Sequence, residues 1–211
     1  MHLPTIVWCC RLAGGAIAAG LAGVSSCLSA PPPLELARDG RTDYAVVQAE
    51  GAAEPERFAI QELTNFLARV TGATFPVVAE SAGPAPARGI YVGWTRYAAA
   101  QGMDAAALGE EEWVIRTVGE NLVLAGGRPR GTLYAVYEFL EKQVGCHWLD
   151  AGTEVVPRRP ELACPALDIR ASPRFWQRWV ECGLGSPDDH WLFLVRNKNY
   201  RYDFHGRTNF F

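Results

Sequence analysis

Apolar side chains recur along this chain with two different periods. Between Glu54 and Gly72 they fall at Ala59, Ile60, Leu63, Phe66, Leu67 and Val70, the spacing of one helical face. Glu54-Pro55-Glu56 supplies the proline and acids that suit a first turn, and Gly72 supplies a left-handed cap at the other end. A second helix is predicted from Thr132, with Leu133, Val136, Tyr137 and Leu140 as its apolar stripe and Gly145 just past its end. The remaining apolar runs are short and read as strands. They cover residues 44–47, 75–79, 89–93, 112–118, 121–125 and, as a closing strand, 167–170. Pro76 cannot donate to a ladder, so the second run is placed at a sheet edge. Gly119-Glu120 turns the fourth run into the fifth as a hairpin. Residues 81–88 read as a surface loop and 98–108 as a small helix or irregular excursion. The pattern predicts a layered α/β fold (α+β), with a mixed sheet of about five strands and two main helices on one face.

The two ends depart from this texture. Arg11 is the only formally charged residue among the first 30, and residues 12–24 are apolar and small, as in an export signal. That run is short of the roughly 20 residues a membrane-spanning helix needs. Two cleavage readings compete. Val24-Ser25-Ser26-Cys27 resembles a lipobox, with Cys27 acylated, and Leu28-Ser29-Ala30 suits an ordinary signal peptidase. Pro31 to Pro33 then form a stiff spacer, and membrane contact is expected only through that lipid. After Trp148 come turns with Pro157, Pro160 and Pro165 around Glu154-Val155-Val156, and from Ser172 a segment rich in Trp, Phe, Tyr and Arg. Residues 191–197 read as a helix, and a boundary is placed near Ala171.

Composition narrows the chemistry. Hydrophobic residues make up 49% and charged ones 20% of the chain, and the net charge of −3 offers no basic field for nucleic acid. Without residues 1–30 the remainder carries 19 basic and 23 acidic residues, a net charge of −4. Of the six cysteines, Cys146, Cys164 and Cys182 stay with the folded part, too few for a complete disulfide framework. One pair is open to oxidation in an oxidising compartment, and the spacing fits no zinc site. At least two of them read as small buried thiols.

Gly126 to Thr132 has phosphate-loop glycines but lacks the lysine that would meet the phosphates, so it reads as a strand-to-helix turn. Arg128 and Arg130 flank Pro129 at the start of the second helix, where they suit either an anion or carboxylates of the fold. His147 is read as a satisfied core or interface histidine, and Glu138 and Glu141 as solvated. The aromatic C-terminal segment suggests a sugar subsite, with Trp176, Trp179, Arg196 and His205 as ligand-binding candidates. Its competing reading is the core of a larger domain. Phe193, Phe204, Phe210 and Phe211 would form an exposed apolar patch if nothing covers them. No catalytic residue, metal ligand or cofactor is assigned.

The string 59–63, the segment 70–77, the glycine-rich turn with its helix at 126–141, and the exit 145–157 together carry a family resemblance. This set resembles the N-terminal domain of family 67 α-glucuronidases and of the related hexosaminidase-type glycosidases, over residues 34–170. The resemblance implies that a (β/α)8 barrel follows, with a first strand at 174–180 and a first helix at 189–200. A complete barrel takes about 250 residues, so residues 171–211 hold only its opening unit. The paired carboxylates of glycoside hydrolysis then have no place to be assigned. The expectation is an exported, non-catalytic accessory domain of a carbohydrate-active protein, with carbohydrate as its partner and no nucleic acid. The alternative is a freestanding glycan-binding or interaction module.

Overall fold

The computed structural model describes residues 31–175, 178 and 187–199. Its centre is set by strands whose side chains are buried on both faces, as parallel strands inside a layered fold must be. The first elements in chain order are β1 (Leu34–Ala37), β2 (Ala45–Gln48), helix α1 (Glu54–Thr71), β3 (Val77–Ala79) and β4 (Gly89–Val92). They continue with α2 (Arg96–Ala100), β5 (Trp113–Val118), β6 (Asn121–Gly126) and α3 (Gly131–Phe139). Then follow β7 (His147–Trp148), β8 (Glu154–Val155), β9 (Leu162–Cys164), β10 (Asp168–Ala171) and α4 (Pro187–Arg196).

Six strands, one for each of the six apolar runs and one more than the sheet of about five expected, form the main sheet in the order β10-β5-β6-β4-β2-β3. β3, β2, β4 and β6 run parallel, and β5 and β10 are antiparallel additions at one side. β3 is an edge strand, as Pro76 requires, and Pro76 still accepts the Val46 N–H through its carbonyl at 2.8 Å. Separate two-stranded sheets pair β1 with β9 and β7 with β8. The strand β1 escapes sequence reading because its four residues carry no length of alternation and follow directly on three prolines.

Alternation sorts the sheet side chains into two layers. Val46, Ile90, Leu122 and Leu124 face α1 and α3 in the main core. Val47, Tyr91, Val123 and Ala125 face the other way, into a smaller cluster with Ala98 and Met103. The second face is therefore partly covered by α2 and the loop after it, where one-sided cover was expected. α1 buries its whole apolar face against the sheet. Each large side chain there contributes about 1.5–3 kcal/mol of burial.

α1 starts with the Glu56 carboxylate accepting the Ala53 N–H at 2.6 Å and ends at Gly72, whose φ of 80° is left-handed. α3 differs from the predicted one-striped helix, because every residue from Gly131 to Tyr137 is buried, and so is Phe139. Such a helix needs cover on all sides. It passes into a π turn at Leu140–Val144 and stops at Gly145, φ 86°. Of the expected barrel strand, Arg174, Phe175 and Arg178 are described and irregular, and the rest lies outside the described residues. The predicted helix at 191–197 is present as α4. The expected export signal, with Cys27, also falls outside the described residues.

Candidate functional site

The glycine-rich turn is shaped by its own backbone. A Cβ on Gly126 would lie 2.1 Å from the Gly131 carbonyl carbon, one on Gly127 would lie 1.8 Å from the Gly109 oxygen, and one on Gly131 would lie 2.3 Å from the Glu112 oxygen. These glycines let strand, turn and helix approach closely, as the turn reading requires. Thr132 Oγ1 accepts the Gly126 N–H at 3.1 Å and ties the helix start to the end of β6.

Both arginines of this turn meet carboxylates of the chain. Arg128 Nη2 lies 3.1 Å from Glu56 Oε2, with the Glu56 side chain 1% exposed and Arg128 53%. Arg130 Nη1 lies 3.6 Å from Glu111 Oε1. The first pair joins the start of α1 to the turn before α3.

A second polar stripe runs along α3 at Tyr134, Tyr137, Glu138 and Glu141, the i, i+3, i+4, i+7 spacing of one helical face. The Tyr134 hydroxyl donates to Glu111 Oε1 at 3.1 Å, and Arg178 Nη2 donates to both oxygens of the same carboxylate at 2.9 and 2.8 Å. The Tyr137 hydroxyl donates to Glu62 Oε2 at 3.1 Å. Arg196 grips Glu62 with two parallel bonds, Nε to Oε2 at 2.8 Å and Nη2 to Oε1 at 3.2 Å. Two tyrosines one turn apart thus each share a glutamate with an arginine from the segment after Ala171.

The Arg196 end is the more enclosed. Its guanidinium lies 5.1 Å from the Phe66 ring centre and 5.8 Å from that of Trp148, and Nη1 reaches Glu154 at 3.4 Å. Trp148 in turn stands edge-on to Phe66 and Tyr137 at 5.3 and 5.4 Å. Lys198 Nζ sits 3.0 Å from both Glu138 and Glu141, and Asn197 Nδ2 donates to the Trp148 carbonyl at 3.3 Å. Glu138 and Glu141 are therefore paired, contrary to the solvated reading, because the downstream segment covers them. Phe193 packs against the main core beside the buried Leu194.

Electrostatics follow this enclosure. Burial and the Glu111 carboxylate push the Tyr134 phenol up to about 12. Burial, with Glu62 beside it, raises Tyr137 well above its ordinary value. Burial works against the Arg196 charge, but Glu62 outweighs it and holds the guanidinium above its usual value. Burial likewise opposes the Glu141 charge, and the bonds from Lys142 and Lys198 outweigh it and lower that carboxyl.

Of the sequence candidates, Arg196 sits in this clamp, and Trp176, Trp179 and His205 lie outside the described residues. Glu62, Glu111 and Lys198 were missed. The available signal was the second stripe on α3, in which tyrosines and glutamates share one face. His147 is exposed on β7, which corrects its placement in a core. Cys146 and Cys164 are buried free thiols pushed up to about 11 by burial. Among the described residues no three His, Cys, Asp or Glu side chains gather as a metal site, and no helix is long and apolar enough to cross a membrane.

Concavities border the fold among the described residues. One of about 840 Å³ lies by β1 and is lined by Arg38, Arg41, Tyr44, Arg88 and Glu120. Another of about 370 Å³ lies on the second sheet face beside the stacked rings of Tyr91 and Tyr97, 4.0 Å apart. A small one of about 130 Å³ adjoins Trp148, Glu154 and Arg196.

Residues 35–139 match the family described as Glycosyl hydrolase family 67 N-terminus. No curated protein matches the chain. Similar solved structures include an N-acetyl-β-hexosaminidase of Streptomyces plicatus in complex with Thio-NAglucal, at 14% identity and a TM-score of 0.46. Others are a GH20 β-N-acetylhexosaminidase of Streptomyces coelicolor A3(2), at 15% and 0.45, and a family GH115 4-O-methyl-α-glucuronidase with specificity for decorated arabinogalactans, at 18% and 0.48. The two hexosaminidase matches cover 70% of this chain and 25% of theirs, and the glucuronidase match covers 67% and 19%.

Proposed function

Because residues 35–139 belong to the Glycosyl hydrolase family 67 N-terminus, we propose that this chain is the non-catalytic front domain of an exported, carbohydrate-active protein of the α-glucuronidase-like kind. The family match is the observation that carries the reading. Within it, the sheet with α1 and α3 is an accessory unit, and chemistry on the sugar belongs to a barrel beginning near Ser172. The reading includes an export signal in residues 1–30, with Cys27 proposed as its lipid site. The anion-binding candidate Arg128 and the ligand-binding candidate Arg196 already hold buried carboxylates, which favours a structural role for this domain over sugar binding by it.

The test uses the purified 211-residue chain. Incubation with aryl glycosides and glucuronoxylan fragments is expected to give no turnover, and hydrolysis of either refutes the non-catalytic assignment. Calorimetric titration with the same oligosaccharides is expected to be silent. Micromolar binding would instead make the chain a freestanding glycan-binding module.

A further inference from the structure

We infer that the outer face of α1 and α3 is a mounting surface for the downstream part of this chain that carries Arg178, Arg196 and Lys198, and that the two tyrosine–glutamate–arginine clamps set its position. The face is acidic: Glu62 of α1 and Glu138 of α3 are joined by Glu141 of the π turn, Glu111 just before β5 and Glu154 of β8, and the downstream contribution is basic. Among the described residues, Arg178, Arg196 and Lys198 of the downstream segment each land on one or two of those acids. The partner is therefore the continuation of this same chain, bearing cations at matching intervals. A neutral or acidic surface could not replace it without stranding buried carboxylates.

The clamps are more selective than charge pairing alone. Glu62 and Glu111 each receive a tyrosine hydroxyl from inside the domain and a guanidinium from outside it, two-pronged at Glu62 and through the single nitrogen Nη2 of Arg178 to both oxygens at Glu111. The tyrosine fixes the carboxylate before the arginine arrives, so the plane presented to the guanidinium is already set. At Glu62 a lysine could supply the charge but not the paired bonds. Arg196 adds aromatic contacts to Phe66 and Trp148, which makes it the anchor of the seam, and Arg178 is the second fixed point. Two separated anchors prevent rotation about either one. The inference rests on the proposed function only for the identity of the unit that is mounted.

Hydrogen–deuterium exchange on the full chain tests this, comparing Glu62→Gln and Glu111→Gln with the parent. Each change keeps side-chain size and a partner for its tyrosine while removing the charge. The expected result is at least tenfold faster exchange across residues 187–199, with β4 and β6 unchanged in both variants. Unchanged exchange at 187–199 in both overturns the inference. So does loosening of β4 and β6 together with 187–199, since the segment would then be part of the domain core. Restored protection in Glu62→Gln with Arg196→Gln, but not with Arg196→Lys, is the further expectation, and equal behaviour of the two overturns the role of the paired bonds. Exchange needs no carbohydrate, so a firm seam on a chain that hydrolyses glycosides would refute the proposed function and leave the mounting surface standing.

Discussion

Replacing Arg128 by alanine separates the two roles its position suggests. Glu56 is 1% exposed, and without Arg128 its carboxylate keeps the Ala53 N–H bond and loses the guanidinium at 3.1 Å. Removing one partner of a fully buried ion pair costs about 3–5 kcal/mol. Two features lower that figure. Arg128 is 53% exposed, so solvent screens the pair, and Glu56 sits in the first turn of α1, where the helix dipole favours a negative charge. The net expectation is about 2 kcal/mol, close to the worth of a charged hydrogen bond. At about 2 kcal/mol per molar of urea this lowers the unfolding midpoint by about 1 M. Glu56→Gln keeps the cap and leaves no buried charge, so it should cost less than Arg128→Ala. Urea titration followed by far-UV circular dichroism measures both. A midpoint shift under 0.2 M for Arg128→Ala would show that the guanidinium is not spent on Glu56 and would favour its reading as a site for an external anion.

Three further outcomes are expected. Gly127→Ala puts a methyl 1.8 Å from the Gly109 oxygen and should destabilise by about 3 kcal/mol, read as a fall in thermal midpoint; an unchanged midpoint refutes the close-approach account of the turn. Cys146 and Cys164, pushed up to about 11 by burial, should alkylate with iodoacetamide at pH 8 more than about a hundredfold slower in native protein than in urea, and comparable rates would refute their burial. Glu141 is held below the usual carboxylate value by Lys142 and Lys198 against the opposing effect of burial. Its contribution to stability is therefore present above about pH 4.3 and lost as pH falls through its folded value, so Glu141→Gln should flatten the stability loss between pH 5 and pH 3. An identical acid limb in parent and variant would refute this.

Much of the domain was legible because its signals are local. α1 announces itself by six apolar positions on one face, an acidic proline start and a glycine stop, and all three appear where the chain placed them. The hairpin β5–β6 and the edge position of β3 follow in the same way from a Gly-Glu turn and a proline. The seam was not legible, because it pairs Glu62 with Arg196 and Glu111 with Arg178, and no pattern within one element can encode such separations. Tyr137 misled in a specific way. Its ring is apolar and its hydroxyl is not, so it counted toward the stripe facing the sheet while its polar tip belongs to the opposite side. Glu138 looked solvated for the complementary reason, that its partner Lys198 lies in a different element.

The pairing of β1 with β9 sets a timing constraint on how this molecule comes together. Leu34 lies across from Cys164, so β1, the first of the described strands to leave a ribosome, finds its partner only after 130 further residues have followed. Ring closure over that distance is slow compared with forming α1 or the β5–β6 hairpin, which involve neighbours in sequence. The earliest-made part of the domain is thus among the last to be latched. Until Leu162 to Cys164 arrive, the edge of β1 is open to strands of other chains.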